Sequence, residues 1–277
     1  PDLIRELLEH DAPTYQAVLH RRMACGNSAL LSEEIIRCLL ERYRSRVSIF
    51  EETHVTEVIC DHAFATVRAG MISIKAKSVV LCTNGFEQFH IKDAQGISLD
   101  PKFHTLVKGE VAYMEGFLLD RPAPIAGFEF IDTSKPSEDP YIYISRRPFE
   151  YETKPQMLIS VGGPEYILPD GKDYDPHHAF PLWAHQDVDR FLKSGQKILP
   201  LDTQRVFQWH GLMGYTPNSV RCVGFEPCRK SLLYNLGCNG IGLMPSMYGG
   251  WKIAQLLRGT DDDVRLFDPQ DRRCRIR

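Results

Sequence analysis

Residues 232–259, LLYNLGCNGIGLMPSMYGGWKIAQLLRG, combine a short apolar segment, a glycine-rich turn and a helical pattern. The apolar segment 231–236 predicts a strand, and three glycines follow it within six residues, at positions 237, 240 and 242. Pro245 and Ser246 then open a predicted helix that ends at Gly259. Its buried side is expected to carry Ile253, Ala254, Leu256 and Leu257. Glycines between a strand and a helix N-terminus let a ligand approach free backbone amides, so this loop suits an anionic or polar cofactor edge.

The glycine spacing is G-x-x-G-x-G, the reverse of the dinucleotide-binding fingerprint G-x-G-x-x-G. The chain ends at residue 277, so too little sequence follows Gly242 for a complete βαβ unit with a ribose-binding acid. The loop is therefore not expected to be the pyrophosphate site of a Rossmann domain. The alternative to a cofactor site is a tight left-handed turn that ends a strand.

The composition fits a globular chain with a real core, because 43% of its 277 residues are hydrophobic. A net charge of −3, with no basic stripe, argues against a nucleic-acid partner. No apolar run approaches the ~20 residues of a membrane-spanning helix. The eight cysteines form no C-x-x-C pair, which is typical of reduced thiols and favours a cytoplasmic location.

Hydrophobic periodicity predicts two helices in the first 50 residues. The first covers residues 2–9, and the second is capped by Ser32 and carries an apolar face from Ile35 to Tyr43. Five strands are then predicted at 47–50, 55–60, 63–68, 71–75 and 78–82. The last of these ends in Thr83-Asn84-Gly85, and ligands bind beyond the carboxyl ends of strands in α/β sheets. That turn is a candidate cofactor contact, with an ordinary Asn-Gly turn as the alternative.

The middle of the chain predicts an antiparallel sheet followed by a helix. Its strands are expected at 105–113, 127–131, 141–145 and 157–161, and the helix at 181–193 with Gly195 as its stop. Two more strands, at 206–209 and 220–224, are expected before the glycine loop.

Several stretches resemble FAD-dependent oxidoreductases of the D-amino-acid oxidase, glycine oxidase and sarcosine oxidase superfamily. WHGLMGYTPN at 209–218, Gly224 and the glycine loop are similar to its C-terminal signature. VVLCTNGF at 79–86, KGEV at 108–111 and LISVGG at 158–163 resemble its earlier landmarks, in the family's order. The resemblance implies a mixed α/β (α+β) fold. In it, the remainder of a glutathione-reductase-like FAD-binding domain, 1–99 and 205–277, is interleaved with an antiparallel-sheet substrate domain, 100–204.

One landmark of the family is absent from the sequence. Members begin with a strand, a G-x-G-x-x-G turn and a helix, and no such fingerprint occurs here. The chain also begins with Pro1 rather than Met. We therefore expect the C-terminal part of a longer polypeptide, or a chain that lost its N-terminal module, without a recognisable site for the ADP half of FAD.

The resemblance implies an enzyme that oxidises an amino acid or a secondary amine by hydride transfer to flavin N5, with release of an imine. One alternative is an FAD-free scaffold or interaction domain without activity. Another is a flavoenzyme for a different substrate class, because a fold does not fix the substrate. FAD is expected to be non-covalent, since no cysteine lies in 211–214, where some relatives attach it.

The cofactor-binding residues that follow from the resemblance lie in the two turns and at the helix start. They are Thr83, Asn84, Gly85, Gly237, Asn239, Gly240, Ile241, Gly242 and Ser246. The amides of Gly240, Ile241 and Gly242 are expected near the flavin pyrimidine, whose carbonyl gains negative charge on reduction.

For the substrate carboxylate an arginine is expected, because its planar fork accepts both oxygens. Arg147 shares strand parity with Tyr143 and is favoured over Arg146, with a surface arginine as the alternative. Trp209 and His210 are expected to wall the flavin or to titrate near neutral pH. A core tryptophan beside a solvent-facing histidine is the alternative for that pair.

No metal site is expected. His177, His178 and His185 show no recognisable ligand geometry with Cys, Asp or Glu, and they are interpreted as part of a mobile polar loop.

Overall fold

The computed structural model describes residues 2–22, 24–84, 89–99, 107–131, 141–169, 174–227, 229–260 and 266–269. Its helices are α1 (Asp2–Leu8), α2 (Ser28–Arg42), α3 (Leu182–Leu192) and α4 (Leu243–Leu257). Its strands are β1 (Glu57–Cys60), β2 (Ala65–Ala69), β3 (Ile72–Ala76), β4 (Val79–Leu81), β5 (His90–Asp93), β6 (Lys108–Leu119), β7 (Ala126–Phe130), β8 (Ile142–Tyr151), β9 (Lys154–Ile167), β10 (Arg205–Tyr215), β11 (Cys222–Glu226) and β12 (Arg229–Leu236). The expected mixed α/β class is confirmed. No helix in the described part of the chain is long and apolar enough to cross a membrane.

The chain divides into two units that alternate along the sequence. Unit 1 comprises Pro1–Glu34 and Val111–Leu212, and unit 2 comprises Ile35–Glu110 and Met213–Arg277. The sequence prediction had placed the first 99 residues together in the FAD-binding part. The first 34 residues instead belong to the unit that holds most of the antiparallel sheet.

Contacts of the N-terminal segment explain this difference. Leu8 joins the buried core of unit 1, and the Arg146 guanidinium forms two hydrogen bonds of 2.7 and 2.8 Å with the Glu9 carboxylate. His10 is buried and its Nε2 lies 3.0 Å from Ser194 Oγ. Because the Ser194 hydroxyl donates to the Phe191 carbonyl, it accepts from His10 Nε2. His10 Nδ1 accepts a 3.0 Å hydrogen bond from the Ala12 amide and therefore carries no proton, so the ring is neutral. Burial lowers the pKa of His10, in line with that state.

Unit 1 is built on a five-stranded sheet in the order β10-β6-β9-β8-β7, with β7, β8 and β9 antiparallel. Helix α3 matches its predicted bounds to within one residue at each end. Its buried residues Ala184, Val188, Phe191 and Leu192 follow helical spacing. Phe191 and Leu192 pack in one core with Phe117 and Ile159 from the sheet. Burial of each such side chain contributes about 1.5–3 kcal/mol.

Unit 2 contains a four-stranded sheet, β3-β2-β1-β5, and a three-stranded sheet, β11-β12-β4. Strands β12 and β4 are parallel, so the glycine loop and the Thr83-Asn84 turn both follow the carboxyl end of a strand at the same edge. Both sheets contribute to one core, which includes Val58 and Leu81 with Tyr234 and Leu236.

Between residues 28 and 93, two sequence predictions were wrong and one strand was not predicted. Helix α2 begins at Ser28, because Asn27 Oδ1 accepts hydrogen bonds from the amides of Ala29 and Leu30 at 3.1 and 3.3 Å. Ser32 lies inside the helix and donates to the Ser28 carbonyl. No strand forms at 47–50, since the Val47 amide closes the turn after α2 on the Tyr43 carbonyl. Strand β5, parallel to β1, was not predicted.

Helix α4 also differs from its prediction. It begins at Leu243, two residues before Pro245, while Gly259 ends it in the left-handed conformation as expected, with φ +77°. Ile253 is buried, but Ala254 and Leu257 are exposed. Lys252 takes a buried position instead, with its ammonium 2.6 Å from the Asp268 carboxylate. A lysine can occupy such a position only when its charge is paired.

Candidate functional site

The glycine loop after β12 is a left-handed turn. Gly237, Asn239 and Gly240 have φ values of +79°, +49° and +78°. A Cβ atom at Gly237 would lie 2.6 Å from Thr216 Cγ2, and one at Gly240 would lie 2.9 Å from the Tyr215 hydroxyl. The glycines are therefore required by the backbone conformation and by packing against the end of β10. The loop is thus the tight left-handed turn that the sequence analysis gave as an alternative.

The Asn84 turn is bound directly to the glycine loop. Asn84 Oδ1 accepts a 2.8 Å hydrogen bond from the Cys238 amide. A Cβ atom at Gly214 would lie only 2.2 Å from the Asn84 carbonyl oxygen, so glycine is needed for this close approach. Asn84 and the glycine loop are thus brought together, and Thr83 immediately precedes Asn84 in the same turn. Gly85 lies outside the described residues.

Asn239 fixes the same loop from the other side. Its Oδ1 accepts from the Thr216 amide at 2.8 Å and from the Thr216 hydroxyl at 3.1 Å. The backbone amide of Asn239 donates to the Gly214 carbonyl oxygen at 3.0 Å. The amide side chains of Asn84 and Asn239 therefore hold three segments in one hydrogen-bonded cluster.

The start of α4 has free donors next to exposed apolar side chains. The Ile241 amide, expected near the flavin pyrimidine, donates to the Cys238 carbonyl at 3.0 Å. Within the described residues, the amides of Gly242, Leu243 and Met244 have no protein acceptor. The Ser246 hydroxyl bonds back to the Gly242 carbonyl. Ile241 is 73% exposed and Met244 69%. Free amides beside an apolar surface fit a flat ring with a polar rim.

Arg221 supports the end of β12 and was not identified from the sequence. Its guanidinium donates to Asn235 Oδ1 at 2.6 Å, to the Asn235 carbonyl at 3.0 Å and to the Gly237 carbonyl at 3.2 Å. Burial lowers the pKa of Arg221. These three hydrogen bonds fix the Arg221 guanidinium inside the protein, immediately beneath the glycine loop.

Tyr143 and Arg147 lie on the same face of β8, as alternation predicted, while Arg146 points into the core. Tyr143 is paired with Gly162, and a Cβ atom there would lie 2.5 Å from Tyr143 Cζ. Burial raises the pKa of Tyr143, so its phenol stays protonated at neutral pH. Arg147 lies four residues further along, about 13 Å away at the usual strand rise. The structure thus does not bring Arg147 to Tyr143.

For Trp209 and His210, the sequence analysis gave a core tryptophan beside a solvent-facing histidine as the alternative. The structure shows the opposite arrangement. Trp209 is 40% exposed, whereas His210 is partly buried in a hydrogen-bonded network. His210 Nε2 lies 3.1 Å from the His178 carbonyl and therefore carries the proton. Its Nδ1 then accepts from the Tyr174 hydroxyl at 2.6 Å.

His178, interpreted from the sequence as part of a mobile polar loop, lies in the loop before α3 and continues this network. Its ring stacks on His210 at 3.8 Å between centroids and an interplanar angle of 21°. Nδ1 donates to the Asp175 carbonyl at 2.6 Å, and Nε2 accepts from the Tyr113 hydroxyl at 3.0 Å. Burial raises the pKa values of Tyr113 and Tyr174, which remain neutral donors.

His185 also has a fixed environment, because its Nδ1 bonds to the buried carboxylate of Glu115. The sequence analysis had found no acidic partner for it. Among the described residues, no group of three or more His, Cys, Asp or Glu side chains is arranged to hold a metal ion.

A cavity of about 320 Å³ opens beside this network in unit 1. It is lined chiefly by Tyr113, Tyr166, Tyr174, His178 and Trp183, and Asp175 is also among its lining residues. We call it the aromatic pocket. The sequence analysis missed it because its rings come from β6, β9, α3 and a loop. The high frequency of tyrosine between residues 111 and 174 was the only sequence feature that pointed to this pocket.

Comparison with protein families identifies one match. The family described as DAO, FAD dependent oxidoreductase, matches residues 8–256. No curated protein matches the sequence.

Solved structures with a similar fold are amine or amino-acid oxidoreductases by name. L-proline dehydrogenase from P. horikoshii shares 17% identity with a TM-score of 0.61, over 86% of this chain and 58% of that one. NikD, an amino acid oxidase of nikkomycin biosynthesis, shares 13% with a TM-score of 0.58, over 78% and 54%. Glycine oxidase from Geobacillus kaustophilus shares 15% with a TM-score of 0.54, over 80% and 53%. At these identities the likeness shows the fold alone, and the chain spans little more than half of each structure.

Proposed function

Since this chain belongs to the DAO family of FAD-dependent oxidoreductases, we propose that it supplies the isoalloxazine-binding and substrate-binding parts of an enzyme oxidising an amino acid or a secondary amine. The observation that carries the proposal is the hydrogen-bonded cluster of unit 2. There the Asn84 turn, the end of β10 and the glycine loop meet beside the free amides of α4.

The residues of unit 2 would hold the flavin by its polar edge. The amides of Gly242, Leu243 and Met244, together with the positive end of the α4 dipole, favour an oxygen that carries negative charge. Gly240 and Ile241 would contact the ring by their backbone and exposed side chain. When bound, FAD would supply the acceptor for a hydride from the carbon that bears the amine. In this proposal its ADP half is held by a module with the G-x-G-x-x-G fingerprint, which this sequence lacks.

The residues of unit 1 would bind and orient the substrate. Tyr143 and the Tyr174–His210 pair hold protons at defined atoms, on the phenol oxygens and on His210 Nε2. Arg147 is partly buried, and its guanidinium carbon lies 5.4 Å from the centroid of the Phe149 ring. It remains the proposed partner of the substrate carboxylate, for a substrate long enough to reach it. Non-covalent attachment of FAD remains part of the proposal, because residues 211–214 contain no cysteine.

The test is anaerobic reduction of the FAD-loaded protein. We expect the visible flavin absorption to bleach on addition of an amino acid or a secondary amine, since two electrons pass from substrate to flavin. Matched alcohols of the same carbon skeleton should leave the absorption unchanged. Bleaching by the alcohols and not by the amines would contradict the proposed substrate class. Loaded protein that no amine bleaches would contradict the proposed reaction.

A further inference from the structure

The aromatic pocket is lined mainly by aromatic residues, whose rings pack edge-on against neighbouring rings. Tyr113 makes edge-on contacts with Phe180 at 5.4 Å and with Trp183 at 5.3 Å between ring centroids. Tyr174 meets His178 and His210 edge-on at 5.9 and 5.6 Å. The space that these aromatic residues line has a volume of about 320 Å³, which is large enough for a branched group of four or five heavy atoms.

The hydroxyl groups of two pocket tyrosines are already engaged elsewhere. His178 Nδ1 and His210 Nε2 both face backbone carbonyls and must donate, so their other nitrogens accept from Tyr113 and Tyr174. These phenols therefore offer a ligand their rings rather than their protons. A phenol that donates its proton to a strong acceptor gains electron density, and its ring face attracts cations more strongly.

Among the described residues that line the pocket, the formal charge is negative. Asp175 lines it and is exposed, and one of its carboxylate oxygens caps the His177 amide at 2.8 Å. Neither a lysine nor an arginine is among the described residues that line the pocket. An anionic ligand group would meet both the carboxylate and the negative ring faces, whereas a cation is favoured by each.

Arg147 is too distant to give this pocket an anion-binding character. It is paired with Leu158 on β9, and Tyr166 of the pocket lies eight residues further along the same strand. At the usual rise this separation is about 26 Å. The pocket is thus a separate recognition element from the proposed carboxylate partner.

We propose that the aromatic pocket binds an alkylated ammonium group, which aromatic faces and the Asp175 carboxylate recognise together. The inference rests on the proposed function in one respect: the ammonium group belongs to the amine substrate. It narrows the substrate class to amines that carry a bulky cationic end. Alkyl groups fill the apolar volume, while the delocalised positive charge interacts with the ring faces.

The test compares two probes of the same shape, choline and its neutral isostere 3,3-dimethylbutan-1-ol. Each is titrated into the purified chain and followed by tryptophan fluorescence, because Trp183 lines the pocket. We expect choline to bind at least about tenfold more tightly than the isostere. Equal or tighter binding of the isostere would show a merely apolar cavity and overturn the inference, as would the absence of choline binding.

Two variants locate the site and one controls for surface effects. Tyr166→Leu and Asp175→Asn each change an exposed side chain, so both proteins should fold. Each is expected to weaken choline binding by about fivefold while leaving the isostere nearly unaffected. Tyr43→Leu on α2 alters a tyrosine of similar exposure, 45% against 40% for Tyr166, and should leave both affinities unchanged. Choline binding that neither pocket variant weakens would overturn the inference.

This experiment separates the inference from the proposed function, because it requires no flavin. If the chain binds flavin but does not bind choline more tightly than the neutral isostere, the proposed function stands and the pocket assignment is overturned. A chain that binds choline through Tyr166 and Asp175 but takes up no flavin would support the pocket and contradict the flavoenzyme proposal.

Discussion

Replacing Glu115 with alanine is expected to lower the free energy of unfolding by about 3 kcal/mol or more. Glu115 is fully buried on β6 and accepts hydrogen bonds from Arg205 Nε at 2.5 Å and from His185 Nδ1. Arg205 also donates to Asp189 at 2.5 Å and to His185 Nε2 at 3.2 Å. Removal of the carboxylate leaves a partly buried guanidinium and an imidazole N–H without their acceptor, and it opens a cavity.

The measurement is urea unfolding of wild type and variants at constant pH. Glu150→Ala, an exposed glutamate on β8, is the matched control and should change stability by less than about 0.5 kcal/mol. Glu115→Gln keeps the side-chain volume and one acceptor oxygen, so its loss should be smaller than that of the alanine variant. Equal stability of the two alanine variants would show that the network around Glu115 does not hold α3 to the sheet.

The second large effect is expected for Gly214→Ala. The new methyl group would lie 2.2 Å from the Asn84 carbonyl, which is a backbone atom and cannot move aside without moving the turn. Overpacking of this kind costs about 1–3 kcal/mol. It would also separate the Asn84 turn from the glycine loop, so flavin binding should fall together with stability.

Gly211→Ala is the matched control, because it lies three residues earlier on β10 and nothing lies within 4 Å of the added Cβ. Gly214→Ala should therefore lower the unfolding midpoint and the flavin affinity, whereas Gly211→Ala should leave both unchanged. A Gly214→Ala protein with wild-type stability and affinity would show that the close approach to Asn84 is dispensable.

Local sequence patterns predicted the elements whose periodicity is strong. The strand, glycine turn and helix at 231–259, helix α3 and the strands of the antiparallel sheet all form. Shifts at their ends have local causes, such as the Asn27 cap that starts α2 four residues before Ser32. Strand β5 was missed because His90–Asp93 has little apolar character and forms through parallel pairing with β1.

The candidate site could be predicted only in part. The resemblance indicated the Asn84 turn and the glycine loop as parts of the site. It did not indicate that the side chains of Asn84 and Asn239 hold the loop in place through hydrogen bonds. Strand alternation placed Arg147 on the correct face and could not give its position along the sheet relative to Tyr166. The aromatic pocket depends on pairing between distant strands, which no local pattern specifies.

The central claim is that the described cluster in unit 2 binds the isoalloxazine ring. The most direct test is an equilibrium titration of FAD and of riboflavin with the purified chain, followed by flavin fluorescence, with the Gly214→Ala protein as reference. Our account predicts saturable quenching of both flavins by wild type, with similar affinity because the ring carries the interaction, and much weaker quenching by the variant. Fluorescence of both flavins that stays unchanged up to the highest soluble concentration of the chain would contradict it.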